Sequence, residues 1–290
     1  MIEWNEMHLA IREQVRRFVE TEIAPRREAI EFGDEPPYAI LRKMFDTFGM
    51  KDMALAQFQM RIAKEKARAE AGEPPKPRKP RGGPEALNEA AMRAIPIIEL
   101  CKYSPGMVTA LGVSVGLTAN AILSRGTIAQ KERWAPALLT LEKIGAWAIT
   151  EPSSGSDAFG SMKATARRDG DDYVLNGQKT FITNGPFADT IVFICKLDDG
   201  SPPEQRKVLQ FVLDGDTPGL ERSKPLRKMG LHGSPTGELF LHDVRVGRDR
   251  LLGETEEQPA RSAAKETFAA ERTGVAAMAL GIVERCLHLS

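Results

Sequence analysis

At 290 residues the chain is long enough for more than one domain with its own buried core, so a single small scaffold is excluded. Forty basic residues balance forty acidic ones, which removes the simplest electrostatic ground for binding nucleic acid or an anionic membrane. Three cysteines, Cys101, Cys195 and Cys286, stand far apart among apolar neighbours and in no metal-ligand spacing; they are expected to be core thiols of a reducing compartment. His8, His232, His242 and His288 are scattered and suggest no metal site. The opening "MIEWNEMHLAIREQVRRF" carries acids and amphipathic spacing where a secretory signal would need a basic tip and an apolar run. A cytoplasmic protein is therefore expected.

From Met7 to Ile30 the residues Ile11, Val15, Phe18, Val19 and Ile23 recur at steps of three and four, which predicts an amphipathic helix stopped or bent at Pro25. "PPYAILRKMFDTFGM" predicts a second, short helix with Gly49 at its C-cap. "AKEKARAEAGEPPKPRKPRGGPEA" then loses apolar content, reading as an exposed, mobile insertion over about 69–85. Its cluster Lys76, Arg78, Lys79 and Arg81 reads as a solvated linker ahead of a dock for an acidic partner. Helical patterns resume from Leu87 to Leu141. "MVTALGVSVGLTANAIL" predicts a helix buried by others, and Thr109, Ser114, Thr118 and Asn120 argue against a membrane span.

After Gly145 the period changes to two. "MKATARRDGDDYVLNGQKTFITN" contains Asp169-Gly170 and Asn176-Gly177, each a hairpin signature, and "TIVFICKL", "KVLQFVLD" and "GELFLHDVRV" continue as strands to about Val246. From Ser262 a helical stripe returns with Phe268, Val275, Ala279, Ile282, Cys286 and Leu289, and it needs a partner. The expected class is α+β. A helical N-terminal domain spans 1–145, a central antiparallel β domain 146–255, and the start of a C-terminal helical bundle 256–290.

Two short stretches carry chemistry. In "WAITEPSSGSD", Trp147 and Ile149 share one side of a strand, and Thr150 puts a hydroxyl at its end. Gly155 and Ser156 then offer turn N–H groups and a hydroxyl of the kind a pyrophosphate oxygen needs; an ordinary serine turn closing a strand reads the same residues without a ligand. "GQKTFITNG" repeats the aromatic-aliphatic-threonine order in Phe181, Ile182 and Thr183. Two such runs could grip a flat heteroaromatic ring.

With these two stretches in this order, the sequence resembles the acyl-CoA dehydrogenase family. "GTIAQKERWAPAL", "LRKMGLHGSPTGELFLHDVRV" and "AAERTGVAAMALGIVERCL" extend the resemblance over nearly the whole chain. It implies a helical domain, a β domain and a four-helix bundle, of which only the first helix is present here. It assigns Trp147, Ile149, Thr150, Gly155, Ser156, Phe181, Ile182 and Thr183 to FAD contact, with Ser156 and Arg272 near a bound acyl-CoA. Phe181 stands where a tryptophan is common, and the Tyr-Gly-Gly loop usual before the third helical segment is missing. The reaction implied is α-proton removal by a carboxylate with hydride passing to flavin N5, giving a trans-2-enoyl-CoA, and electrons going on to an electron-transferring flavoprotein. "ERTG" makes Glu271 the base; without the resemblance, Glu271 beside Arg272 reads as a surface pair at a helix edge. A homo- or hetero-oligomer is implied as well. The runner-up is a non-catalytic relative of these enzymes that serves assembly through the stripe Phe268 to Leu289.

Overall fold

The computed structural model describes residues 4–33, 35–74, 83–257 and 260–290, with the backbone alone for 84–86 and 260–271. Its N-terminal part is helical. Helix α1 (Glu6–Phe18) starts at Asn5, whose side chain accepts from the His8 amide while the His8 ring accepts from the Asn5 amide. The helix does not stop cleanly at Pro25. A π-helical turn at Val19–Ile23 and a 3-10 turn at Ala24–Arg26 absorb the missing proline N–H, and α2 (Arg27–Glu31) continues beyond them. Helix α3 (Tyr38–Thr47) ends before Gly49, which takes φ 62° as expected of a C-cap glycine.

Helix α4 (Met50–Glu70) corrects part of the insertion reading: Ala63 to Glu70 are helical. Phe58 and Ile62 explain why, since they bury against Ala135, and Glu65 pairs with Lys131 at 2.6 Å and Lys66 with Glu132 at 2.7 Å. Those partners lie on α8 (Ile128–Leu139), far along the chain and invisible to local composition. Residues 75–82, with the basic cluster, lie outside the described residues.

Helices α5 (Pro84–Cys101), α6 (Pro105–Leu111) and α7 (Asn120–Arg125) follow, with a π-helical stretch at Gly112–Ala119 between the last two. Pro105–Arg125 is long and apolar enough to cross a membrane by length and composition, with mean hydropathy 1.6. Yet Met107, Ala110, Thr118, Ala119 and Ile122 are buried inside the protein, as the buried-helix reading requires.

The sheet has seven strands: β1 (Gly145–Ala148), β2 (Thr165–Asp169), β3 (Asp172–Thr183), β4 (Thr190–Leu197), β5 (Val208–Asp214), β6 (Leu220–Arg222) and β7 (Thr236–Val246). The expected antiparallel pairing holds for β2–β3, β3–β7, β4–β5 and β6–β7, while β1 and β2 both run parallel to β4, so the sheet is mixed. Hairpin signals report only neighbours in sequence, and these two pairings are long-range. β1 and β2 lie end to end along one edge of β4: β1 pairs with Thr190 to Phe193 and β2 with Lys196 and Leu197. Gly170, at φ 64°, turns the β2–β3 hairpin.

Asn176-Gly177, by contrast, is not a turn. It sits inside β3 at a register shift, with Gly177 at φ 148°, and a Cβ there would stand 2.6 Å from the Cβ of Ala164. The glycine is needed for a close crossing.

One side of the sheet forms its own core with Ala146, Ala148, Leu175, Ile191, Phe193 and Leu239. The other side meets the helices: Trp147, Ile149, Val192, Ile194 and Val212 pack with Ile122, Trp134 and Leu138. Small residues bring β1 close, since a Cβ at Gly145 would stand 2.7 Å from Thr118, and the Gly145 amide donates to Ser114 Oγ at 2.9 Å.

Helix α9 (Ala260–Leu289) returns to the first helices. A Cβ at Gly281 would stand 2.3 Å from the Ile98 carbonyl oxygen, so α9 presses directly on α5 there, with Met278 beside it. The stripe expected to need a partner faces elsewhere: Val275 is 54% and Leu289 67% exposed, and Ile282 is exposed too. Cys286 is also exposed, which corrects the core-thiol reading for that residue; Cys101 and Cys195 are buried.

Charges lock this corner. Glu99, on α5, is 1% exposed and takes Arg12 at 2.6 Å, Arg16 at 3.2 Å and Lys102 at 3.0 Å, while Glu284 of α9 takes Arg12 and Lys102. Burial pushes the Glu99 carboxyl up, but the bonds from Arg16, Arg12 and Lys102 outweigh it and hold it below its ordinary 4.5. A depressed carboxylate contributes stability above the unfolded value and loses it as pH falls through the folded one. Stability should therefore decline as pH drops below 4.5. Glu99→Gln should cost about 3 kcal/mol near neutrality and flatten that decline, as urea midpoints across pH would read.

Candidate functional site

The two motif stretches, distant in sequence, are stitched to each other. The Thr180 amide donates to the Thr150 carbonyl at 2.9 Å, and Thr150 Oγ1 donates back to the Thr180 carbonyl at 2.5 Å. Thr180 Oγ1 further donates to Glu238 on β7. The end of β1 and the late part of β3 thus make one surface.

On that surface Phe181 is conspicuous. It lies in the register shift between Lys179 and Ile182, takes φ 55°, and is 69% exposed. A phenylalanine with positive φ costs backbone strain of about 1–3 kcal/mol, and an exposed ring returns none of it through burial. Strain held at an outward-facing aromatic points to a ligand-facing role.

The other expected contacts divide. Thr150 and Thr183 are half-buried; Thr150 bonds to Thr180, the residue before Phe181, and Thr183 follows Phe181 at the end of β3. Gly155 and Ser156 are exposed; a Cβ at Gly155 would meet nothing within 4 Å, and among the described residues neither backbone N–H meets a backbone acceptor. Their turn is fixed from inside by the paired Glu151 and Ser154 amides and by Ser154 Oγ donating to the Asp157 carbonyl at 2.8 Å. Trp147 and Ile149, each 6% exposed, point the other way into the helix-facing core, and Ile182, 2% exposed, into the sheet's own core. Their side chains support the surface from behind.

An open shelf with a strained aromatic, two half-buried threonines and a turn with outward N–H groups fits a planar ring bearing a phosphate tail. The described side chains fit the flavin and pyrophosphate that the resemblance assigns. Arg272 lies exposed on α9, whereas the side chain of Glu271 falls outside the described ones.

Two groups under the shelf were not legible as site residues. Lys179 is fully buried and donates to Glu151 Oε1 at 2.8 Å and to the Ile149 carbonyl at 3.0 Å. Desolvation pulls the Lys179 ammonium below its ordinary range, against the pull of Glu151. Burial pushes the neighbouring Cys195 thiol up to about 12, which keeps it protonated. The signal was present in the sequence: Lys179 and Glu151 each sit inside a motif, in a run otherwise destined for burial.

Asn184, which closes the second motif at φ 65°, joins sheet to helices. Its amide donates to the carbonyls of Ala110 and Gly145, each at 2.9 Å, and its oxygen accepts from Tyr38 at 3.0 Å. Burial pushes the Tyr38 phenol up, so it stays a donor.

Comparison with known proteins finds two family models that match the chain. Residues 77–142 match the model of the acyl-CoA dehydrogenase N-terminal domain and 146–244 that of the middle domain. A "3-(aryl)acrylate reductase" of Clostridium sporogenes is 33% identical over 97% of this chain and 67% of its own length. A short-chain specific acyl-CoA dehydrogenase of Megasphaera elsdenii is 40% identical over 65% of this chain. That match spans 48% of the relative, so the chain covers about half the length of this protein. Among solved structures, a glutaryl-CoA dehydrogenase of Mycobacterium smegmatis in complex with FADH2 superposes with TM-score 0.76 at 28% identity, over 98% of this chain and 64% of that one. Matched in both domain models, and a third identical to a relative over nearly all its residues, the chain belongs to the acyl-CoA dehydrogenase family.

Proposed function

We propose that this chain forms the flavin-facing part of an FAD-dependent acyl-CoA dehydrogenase acting in the cytoplasm as part of an oligomer. The observation that carries the reading is the stitched shelf: Thr150 and Thr180 exchange hydrogen bonds, and Phe181 stands outward in a strained bulge between them and Thr183. The FADH2 bound by the Mycobacterium smegmatis relative supports the choice of ligand.

Phe181, Thr150 and Thr183 would hold the flavin ring, and the N–H groups of Gly155 and Ser156 would take its pyrophosphate. Bound FAD supplies the acceptor for the hydride that leaves the β-carbon of the thioester. Glu271 removes the proton from the α-carbon, and Ser156 and Arg272 orient the acyl-CoA. With Trp147 and Ile149 packed on one side of the sheet and Ile182 on the other, the protein around the shelf is filled, so water would not reach a bound ring from within. The double bond forms between the two carbons that lose hydrogen, and an electron-transferring flavoprotein takes the electrons onward.

The test is a visible spectrum of the purified chain after incubation with FAD and removal of the excess. A retained flavin band that bleaches with butyryl-CoA is expected. A colourless protein would overturn the reading for this chain. It would favour the second reading, a subunit that acts only in assembly, which rests on the exposed Val275, Ile282, Val283 and Leu287 of α9. Sizing chromatography with and without candidate partner chains separates the two.

A further inference from the structure

The buried ion pair beneath the shelf has a use beyond filling space. Lys179 and Glu151 are 0% and 3% exposed. The ammonium donates to Glu151 Oε1 and to the Ile149 carbonyl, and it lies 5.3 Å from the centre of the Phe193 ring. The carboxylate accepts from the backbone N–H of Lys163 at 2.7 Å and of Ala164 at 3.0 Å. Three separate pieces of backbone are thereby fastened at one point: the first motif at Ile149 and Glu151, the lead into β2 at 163–164, and β3 at Lys179.

Charges removed so fully from water are costly to bury, and apolar side chains of similar volume often pack as stably. What apolar side chains lack is direction. Here the directional bonds converge on the second of two places where β3 departs from regular pairing with β7, two residues before Phe181. A one-residue slip in a strand sends every side chain to the opposite face, so the height and the facing of Phe181 depend on where this shift is held. Within the shift itself, between the pairs Lys179–Leu239 and Ile182–Gly237, the Lys179 bond to the Ile149 carbonyl acts beside the Thr150–Thr180 bonds to hold β3 against the first motif.

We infer that Lys179 and Glu151 are positioning residues that lock the two motifs in a common register, so that Thr150 and Phe181 present one continuous shelf to the flavin ring. The inference rests on the flavin reading above. The pair touches neither ring nor substrate in this role; it acts through Ile149, Thr150 and Phe181. Lys179 is suited to it because its stem spans the core from β3 while its head satisfies a carbonyl and a carboxylate together.

Three variants test it: Lys179→Met, Glu151→Gln and the two combined. Each is followed by thermal midpoint, by amide hydrogen exchange at Thr180, whose N–H bonds to the Thr150 carbonyl, and by FAD affinity from flavin fluorescence. Each single variant leaves one group of the pair buried without its charged partner, so both midpoints should fall. In the combined variant no unpaired charge remains, and the midpoint should return most of the way. The positioning role predicts that Thr180 exchange nevertheless stays at least tenfold faster than in the wild-type chain, that amides of β4 and β5 keep their protection, and that FAD affinity stays at least tenfold lower.

If Thr180 protection and FAD affinity return together with the midpoint, the pair is core filling and the inference fails. Should Lys179→Met not fold, Glu151→Gln, which keeps the side-chain shape, carries the same comparison of Thr180 against β4 and β5. If the wild-type chain retains no flavin, the flavin reading falls. The exchange data then decide the register claim alone: selective loss at Thr180 upholds it, and uniform loss across the sheet overturns it.

Discussion

Asn184→Ala is expected to lower the free energy of unfolding by about 5 kcal/mol, a large share of the roughly 5–15 kcal/mol that holds a typical domain. The substitution strands three buried groups, the Tyr38 hydroxyl and the carbonyls of Ala110 and Gly145. Each unsatisfied group costs about 1–3 kcal/mol. Alanine at φ 65° adds about 1 kcal/mol that asparagine largely avoids. Asn184→Gly removes the hydrogen bonds but not the backbone freedom, so it should fall about 1 kcal/mol short of the full loss. Urea unfolding of the two variants reads both numbers. A loss below about 2 kcal/mol for the alanine variant would mean that water replaces the lost amide and that Asn184 is no hub.

On the proposed reading, Glu271→Gln should leave FAD retention unchanged and slow acyl-CoA-dependent bleaching by at least about a hundredfold, the lower end of what a positioned general base supplies. Glutamine keeps size and hydrogen bonding but cannot take the α-proton. Stopped-flow absorbance after mixing with butyryl-CoA checks it. Bleaching at the wild-type rate would remove Glu271 as the base and leave the shelf assignment standing. Loss of FAD along with bleaching would instead place the residue in cofactor binding.

Local pattern fixed what is local. Helices α1 and α3, the Gly49 cap, the Gly170 hairpin and the positions of β4, β5 and β7 were all readable from period and turn chemistry. Long-range packing decided the rest. Ala63 to Glu70 look like linker until α8 offers Lys131 and Glu132, and Asn176-Gly177 looks like a turn until Ala164 crosses it. The parallel pairing of β1 and β2 with β4 leaves no mark in either segment.

The site was legible in the same divided way. The motifs pointed to two stretches that the fold stitches together, yet not to which side chains reach the surface: Phe181 emerges and Trp147 does not, because a bulge reverses the alternation in one stretch and a regular strand preserves it in the other. Nor could spacing show that Lys179 reaches across to Glu151. That contact exists only once β3 lies against the end of β1.

The end-to-end seating of β1 and β2 on β4 bears on how this region can change in length. The segment between those strands starts and finishes against the same rail, with Phe193 holding one end and Lys196 the other, so the strand pairing does not pass through its middle. Doubling such a loop costs only about 0.6 kcal/mol in closure entropy. Residues gained or lost near the exposed Gly160 and Ser161 need only keep the Gly160 carbonyl on the buried Lys196 ammonium, 2.8 Å away, while the turn at Gly155 stays where its own internal bonds set it. A residue added inside β4 has no such freedom, since it would move both anchor points apart at once.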